Sequence, residues 1–148
     1  SFRPDNPVTR VELVAFLVRL AGWQLPAGGQ PDFADLDAIP DWARAAVAAA
    51  QQHGLVDGYP DGTFRPDRPV SRVEAAAFLI RFLAETAPAP SAWLPYRDLE
   101  AIPAWGRESV ARACAAGLMR GVTATTFAPF SPFTRAQTAA VLNRLDDI

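Results

Sequence analysis

The sequence predicts a mainly α-helical protein assembled from a repeated unit. Three observations carry that prediction. One stretch occurs three times: residues 1–12 read S-F-R-P-D-N-P-V-T-R-V-E, residues 63–74 read T-F-R-P-D-R-P-V-S-R-V-E, and residues 126–137 read T-F-A-P-F-S-P-F-T-R-A-Q. Each copy ends in the pattern [S/T]-x-x-[E/Q], a capping box in which hydroxyl and carboxylate satisfy each other's backbone amides at a helix start. Behind each start the apolar residues fall at helical spacing; Val11, Val14, Ala15, Leu17 and Val18 are the first set.

Taken in order, the first helix is predicted near residues 10–22. Leu13, Phe16 and Leu20 widen its apolar stripe, which marks a central helix, and Gly22 stops it. Residues 24–31, Q-L-P-A-G-G-Q-P, read as a linker. An Ala-rich helix follows near 42–53, with Asp41 as its expected N-cap and Gly54 past its end. His53 is the single histidine and reads as a last-turn residue favoured by the helix dipole. The stretch from Gly58 to Phe64, G-Y-P-D-G-T-F, is a turn in which Pro60 fixes φ and Gly62 can take positive φ. At most very short strands are expected, near Tyr59 and Phe64. A third helix is expected near 72–84, and residues 85–91, E-T-A-P-A-P-S, are a second linker. The front half then recurs 63 residues on: Tyr96-Arg97-Asp98-Leu99 matches Phe33-Ala34-Asp35-Leu36, and Ile102-Pro103-Ala104-Trp105 matches Ile39-Pro40-Asp41-Trp42. Helices are expected near 105–116 and 135–145. The domain reading is 1–23, the second half of a first repeat; 32–85, a second repeat; and 95–148, a third. The first repeat lacks its front half, and the chain reads as a fragment or processed piece. The missing half should leave part of the apolar face of helix 10–22 uncovered.

Composition bounds the chemistry. At 148 residues and half hydrophobic, the chain can bury one good core, and no apolar run reaches membrane-span length. All 14 basic residues are Arg, spread along the chain, and the net charge is −2, which argues against a nucleic-acid surface. Cys114 is alone and reads as a small buried hydrophobe. There is no G-x-S-x-G, no H-E-x-x-H and no Cys–His pattern, so no enzyme is indicated and no cofactor is implied. Asp57-x-x-x-Asp61-Gly62 only mimics a calcium loop, because its twelfth position is Arg68 where a bidentate Glu is needed. No metal site is indicated.

These residues resemble the S-layer homology family. The resemblance rests on Phe33-x-Asp35, Trp42-Ala43, Gly58-Tyr59-Pro60-Asp61-Gly62-Thr63-Phe64-Arg65-Pro66 and Ser71-Arg72-Val73-Glu74, recurring in order at one period over nearly the whole chain. It implies tandem repeats in a pseudo-threefold, mostly helical assembly with grooves between repeats. It also implies a secreted, non-catalytic module of the bacterial cell wall or S-layer. The implied ligand is a pyruvylated cell-wall polysaccharide, held non-covalently and without membrane insertion. The Arg of the T-R-x-E motif is a main contact in the family, a role that falls here on Arg10, Arg72 and Arg135. Gly58, Tyr59, Asp61 and Glu74 complete the candidate ligand-binding set. The alternative is a protein-interaction or self-assembly module of the envelope, with a homo-oligomer completing the first repeat.

An independent physical argument supports the arginines. A cation at the first helical position opposes the helix dipole, whereas a bound carboxylate would be attracted by helix amides and guanidinium together. The competing role for Arg72 is an internal ion pair with Asp61, Asp35 or Glu74. The second repeat keeps every marker, so its groove with Arg72 is expected to bind best, and an exposed first-turn Arg72 should add little to stability. The third repeat reads Gly121-Val122-Thr123-Ala124-Thr125-Thr126-Phe127 in place of the turn and has Gln137 in place of the Glu. Phe64 is expected in the core. Tyr59 should stack on a sugar or line a groove floor, and Trp42 and Trp105 should pack against a neighbouring unit.

Overall fold

The computed structural model describes residues 4–83 and 94–146. Its five α-helices are α1 (Arg10–Ala21), α2 (Asp41–Gln52), α3 (Arg72–Leu83), α4 (Ala104–Ala115) and α5 (Arg135–Asp146), each of 12 residues. Single turns of 3-10 helix at Leu36–Ala38 and Leu99–Ala101 precede α2 and α4. Among the described residues the β-type pairing consists of three isolated bridges, Pro7 with Thr134, Thr9 with Pro69 and Ser71 with Pro132. The predicted linker at 85–91 lies outside the described residues.

The helix starts follow from the capping boxes. Thr9 Oγ1 accepts from the Glu12 amide at 3.3 Å and the Glu12 carboxylate accepts from the Thr9 amide at 3.0 Å. Ser71 and Glu74 repeat this at 3.2 Å in both directions, and Thr134 and Gln137 at 3.1 and 3.2 Å. Gln137 therefore replaces the Glu without loss of the motif. Gly22, with φ 67°, ends α1. At α2 the N-cap is Pro40, not the expected Asp41, which instead forms the first turn and pairs with Arg44 at 3.1 Å. Proline's fixed φ suits the helix entry, and α4 uses Pro103 in the same way.

The chain forms two compact units, and they do not coincide with the sequence repeats. One is Val8–Pro69; the other is Ser1–Pro7 with Val70–Ile148. In the first unit α1 packs on α2. Val11, Leu13, Val14, Leu17 and Val18 of α1 are buried with Ala43, Val47, Ala49 and Ala50 of α2. Small alanines let the helix axes come close while the branched side chains fill the seam. Phe64 is fully buried, as expected, with its ring 5.4 Å from that of Phe33. In the second unit α3 packs on α4. Gly106 takes the place of Ala43 there: a Cβ on it would lie 2.3 Å from Val73 Cγ2, so only glycine admits this approach.

The T-R-x-E helices α1 and α3 are thus each covered by the front half of the repeat that follows, not by their own. Part of the apolar face of helix 10–22 is expected to be uncovered; α2 packs on its Val11, Val14 and Leu17 stripe, while Phe16 is 36% exposed. The helix starts are tied down in one recurring register. The Arg10 and Val11 amides donate to the Arg68 and Pro66 carbonyls, both at 3.0 Å. The Arg72 and Val73 amides donate to the Ser131 and Pro129 carbonyls at 2.9 Å, and the Arg135 and Ala136 amides to the Asn6 and Pro4 carbonyls at 3.0 and 3.1 Å.

Candidate functional site

The F-x-P turns are shaped by an acidic residue from the start of the repeat. Asp35 accepts the amides of Phe64 and Arg65, both at 2.8 Å, one on each carboxylate oxygen. Asp98 accepts those of Phe127 and Ala128 at 2.9 and 2.8 Å. Arg65 and Ala128 both have φ 59°, a left-handed conformation that costs a side-chain-bearing residue ~1–2 kcal/mol. The paired amides clasping one anion offset that cost. Burial works against the Asp98 charge, but the Phe127, Ala128 and Asp98 amides outweigh it and hold its pKa below the ordinary carboxyl value, with Arg72 adding to the effect. The Asp of F-x-D therefore has a structural role, which its recurrence at the same 63-residue spacing signals.

In the first unit this turn assembles a cationic cluster. The Arg10 side chain is only 7% exposed, and its Nε donates to the Phe64 carbonyl at 2.8 Å. Its guanidinium carbon lies 4.7 Å from the centre of the Tyr59 ring. Arg65 lies over the same ring at 3.9 Å and Arg68 at 5.6 Å. Arg65 is steered there by Asp61, paired with it at 3.2 Å. Asp61 in turn accepts the Thr63 hydroxyl at 2.6 Å and amide at 3.0 Å. Those bonds from Thr63, with Arg65 adding less, hold the Asp61 carboxyl below its usual pKa. The Tyr59 hydroxyl is buried and has no hydrogen-bond partner among the described residues. With guanidinium groups over its ring, Tyr59 is part of a cation-lined floor and not an open platform for a sugar ring. Gly58, φ 80°, makes the turn possible: a Cβ there would lie 2.6 Å from the Phe33 ring and 2.8 Å from the Thr63 carbonyl oxygen.

The equivalent place in the second unit is built from different groups. Arg72 is 3% exposed, so the expectation of an exposed first-turn arginine is corrected. Its Nε donates to the Phe127 carbonyl at 2.9 Å and a terminal nitrogen donates to the Arg120 carbonyl. Its guanidinium carbon is 4.7 Å from the Phe127 ring centre. Burial lowers its pKa, an effect opposed by Cys114, Tyr96 and Asp98 nearby; an arginine remains charged regardless. Val122, Ala128 and Ser131 stand where the first unit has Tyr59, Arg65 and Arg68. The cationic cluster is lost with them. Cys114 is half-buried, with Sγ 3.8 Å from the Tyr96 hydroxyl, and that hydroxyl accepts the Gly121 amide at 2.9 Å. Burial pushes the Cys114 thiol up.

The predicted site residues are therefore divided. Arg10, Gly58, Tyr59 and Asp61 come together in one unit. Arg72, Glu74 and Arg135 belong to the other, where Glu74 serves the Ser71 cap and Arg135 opens α5. Arg65 and Arg68 were not among the sequence candidates. The signal for them is in the comparison of turns, where both are replaced in the third copy. Trp42 and Trp105, expected to pack against a neighbouring unit, are instead 64% and 62% exposed. His53 caps the end of α2 and stacks on Trp23, ring centres 4.0 Å apart. No helix among the described residues is long and apolar enough to cross a membrane, and no cluster of His, Cys, Asp or Glu there could hold a metal ion.

The family model for the S-layer homology domain matches residues 32–76 and 95–139. The chain is 29% identical, over 97% of its length, to the cellulosome-anchoring protein of Acetivibrio thermocellus, and spans 33% of that protein. It is 30% identical over 80% of its length to the surface-layer 125 kDa protein of Lysinibacillus sphaericus, spanning 10% of it. It is also 30% identical over 98% of its length to an endoglucanase of a Bacillus strain, of which it spans 15%. The matched regions are thus modules of much longer proteins. Two family matches in tandem, on a helical fold whose caps, turns and clamps repeat at the same spacing, give one conclusion: the chain belongs to the S-layer homology family of cell-surface anchoring modules.

Proposed function

We propose that the chain anchors its parent protein non-covalently to an anionic, pyruvylated polysaccharide of the cell wall through the Arg10–Tyr59–Arg65–Arg68 cluster. The observation that carries this reading is the buried, unpartnered hydroxyl of Tyr59, whose ring three guanidinium groups overlie. A buried hydroxyl without a partner costs ~1–3 kcal/mol. A carboxylate arriving there accepts from that hydroxyl and from the neighbouring guanidinium forks at once, as arginine geometry favours. Side chains of two sequence repeats meet in this site, since Arg10 comes from the first repeat and Tyr59 from the second. The site nevertheless lies within one packing unit. Relatives named for anchoring and for the surface layer support the cell surface as its place. The endoglucanase relative fits an anchor carried beside a separate catalytic region, with the site here binding and not cleaving.

Tyr59→Phe tests the reading, because it removes one oxygen and leaves the ring in place. Calorimetric binding to purified wall polymer should weaken by about 5- to 15-fold, the worth of one hydrogen bond of ~1–1.5 kcal/mol. The melting temperature should stay level or rise, since the lost hydroxyl bonds nothing among the described residues. Polymer stripped of its pyruvate should bind parent and variant equally weakly. Unchanged affinity of Tyr59→Phe for the intact polymer would refute the assignment. A second reading, a protein-interaction module, is favoured by the exposed indoles of Trp42 and Trp105. It requires that Trp42→Ala with Trp105→Ala abolish surface retention while polymer affinity stays intact.

A further inference from the structure

The first turns of α2 and α4 differ by one charge. Arg44 on α2 donates from Nε to the Ile39 carbonyl at 2.9 Å, and a terminal nitrogen lies 3.1 Å from the Asp41 carboxylate. Arg107 holds the corresponding place on α4 and repeats the first contact, its Nε donating to the Ile102 carbonyl at 3.0 Å. The second contact is missing, because Ala104 stands where α2 has Asp41. No carboxylate among the described residues pairs with Arg107, and Glu108 beside it lies 3.5 Å from Arg112 instead. The Arg107 guanidinium is therefore oriented by a backbone carbonyl while its terminal nitrogens have no protein acceptor there.

This guanidinium stands at the edge of a pocket of about 270 Å³, lined by Leu94, Leu99, Glu100, Ile102 and Arg107. The local chain shapes the hollow. The Ala101 and Ile102 amides donate to the Asp98 and Leu99 carbonyls at 3.0 and 3.1 Å, which closes the 3-10 turn, and Pro103 then starts α4. Leu94, Leu99 and Ile102 make the lining mainly apolar. Glu100 and Arg107 put one charge of each sign on it, and the two form no ion pair with each other. All five residues lie in the unit that contains α3, α4 and α5, and none belongs to the Tyr59 cluster.

We infer that this pocket is a binding site for a free α-amino acid with an aliphatic side chain. The ligand carboxylate takes the open fork of Arg107, its ammonium takes Glu100, and its side chain lies on Leu94, Leu99 and Ile102. Ligand and pocket each carry one positive and one negative group, so neither pocket charge is left unbalanced. Size points the same way. The pocket is smaller than the ~300–1,000 Å³ typical of sites for drug-sized molecules, which suits one side chain with its two head groups. The first unit has Pro31, Leu36, Asp37, Ile39 and Arg44 at the same positions, but there a ligand carboxylate would have to displace Asp41 from the arginine.

The test titrates the whole chain with L-leucine and follows the methyl signals of Leu94, Leu99 and Ile102 by NMR. L-Leucine should move all three saturably, with a dissociation constant in the millimolar range. Leucinamide lacks the carboxylate and N-acetyl-leucine lacks the ammonium; each should bind about fivefold more weakly, the loss of one exposed charge pair. Glycine, with no side chain, should leave the methyl signals in place. Ala104→Asp gives Arg107 the partner that Arg44 has, at an exposed position, and should also weaken L-leucine about fivefold without lowering the melting temperature. Arg107→Gln should weaken it at least as much, which keeps the comparison valid if Ala104→Asp disturbs the fold. The inference is overturned if L-leucine leaves the three methyl signals unmoved. It is overturned too if leucinamide binds as tightly as L-leucine, or if Arg107→Gln keeps the parent affinity. Equal binding of N-acetyl-leucine would also overturn it, because the pocket would then take the carboxyl end of a peptide. Wall polymer is absent from this experiment, so its outcome is separate from that of the Tyr59 assignment.

Discussion

Replacing Arg72 by Ala should damage the fold and spare the binding site. The guanidinium is buried and donates to the Phe127 and Arg120 carbonyls, both far along the chain from it. A hydrogen bond from a charged donor is worth ~1.5–3 kcal/mol, and its loss leaves an acceptor unpaired. Against this, the variant no longer holds a cation in a desolvated place, which returns part of the energy. The net loss should be about 2–4 kcal/mol, or roughly 5–15 °C in melting temperature at this chain length. Arg72→Lys should recover only part, because an ammonium lacks the fork that reaches two carbonyls at once. Urea unfolding followed by circular dichroism gives the free energies, and calorimetry on the folded fraction gives the polymer affinity. A melting temperature within 2 °C of the parent (roughly the shift of a 0.5–1 kcal/mol change) would refute the structural role. Normal stability with lost polymer binding would return Arg72 to the ligand site.

Two further outcomes follow from the turns. Asp98 has its pKa depressed on folding, so its contribution is complete above the ordinary carboxyl value of ~3.9 and disappears as pH falls through the lower folded value. The urea midpoint of the parent should therefore drop on acidification below about pH 4, and that of Asp98→Asn should be lower at neutral pH but drop less; equal pH dependence would contradict the clamp. Gly58→Ala should cost about 2–4 kcal/mol from positive φ together with overlap on Phe33 and Thr63, whereas Gly22→Ala, with positive φ but open space around it, should cost only ~1–2 kcal/mol; equal thermal melts for the two would show that the close approach is not tight.

The helices were legible because their signals are local. Each T-R-x-E start carries its own cap, and each boundary falls within a residue of expectation. The 3-10 turns at Leu36–Ala38 and Leu99–Ala101 were not legible, since a single turn has too few residues for a periodic pattern. The front-to-back pairing was not legible either. Within a repeat the turn and the T-R-x-E helix are adjacent in sequence, which invites the reading that Tyr59 and Arg72 share a groove. The proline-rich segment at 66–69 prevents a direct reversal, because Pro66 and Pro69 have no amide to donate and hold the chain extended. Its carbonyls are satisfied instead by amides of the preceding repeat's helix, at Arg10 and Val11.

That exchange decides where the charge is placed. The T-R-x-E arginine meets the turn of the next repeat, so its character is set by residues far along the chain, Phe64 being 54 positions from Arg10 and Phe127 55 from Arg72. Where the next turn carries Tyr, Arg and Arg, as at 59, 65 and 68, the buried guanidinium joins a cationic cluster beside an unpaired hydroxyl. Where it carries Val, Ala and Ser, as at 122, 128 and 131, the same arginine lies against the Phe127 ring and donates to two carbonyls. One motif thus places its arginine in a cationic cluster in one unit and against a phenylalanine ring and two carbonyls in the other, and the difference lies in the turn of the following repeat. A marker count within repeats points to Arg72, whereas pairing each arginine with the next turn leads to the Arg10 cluster proposed as the binding site.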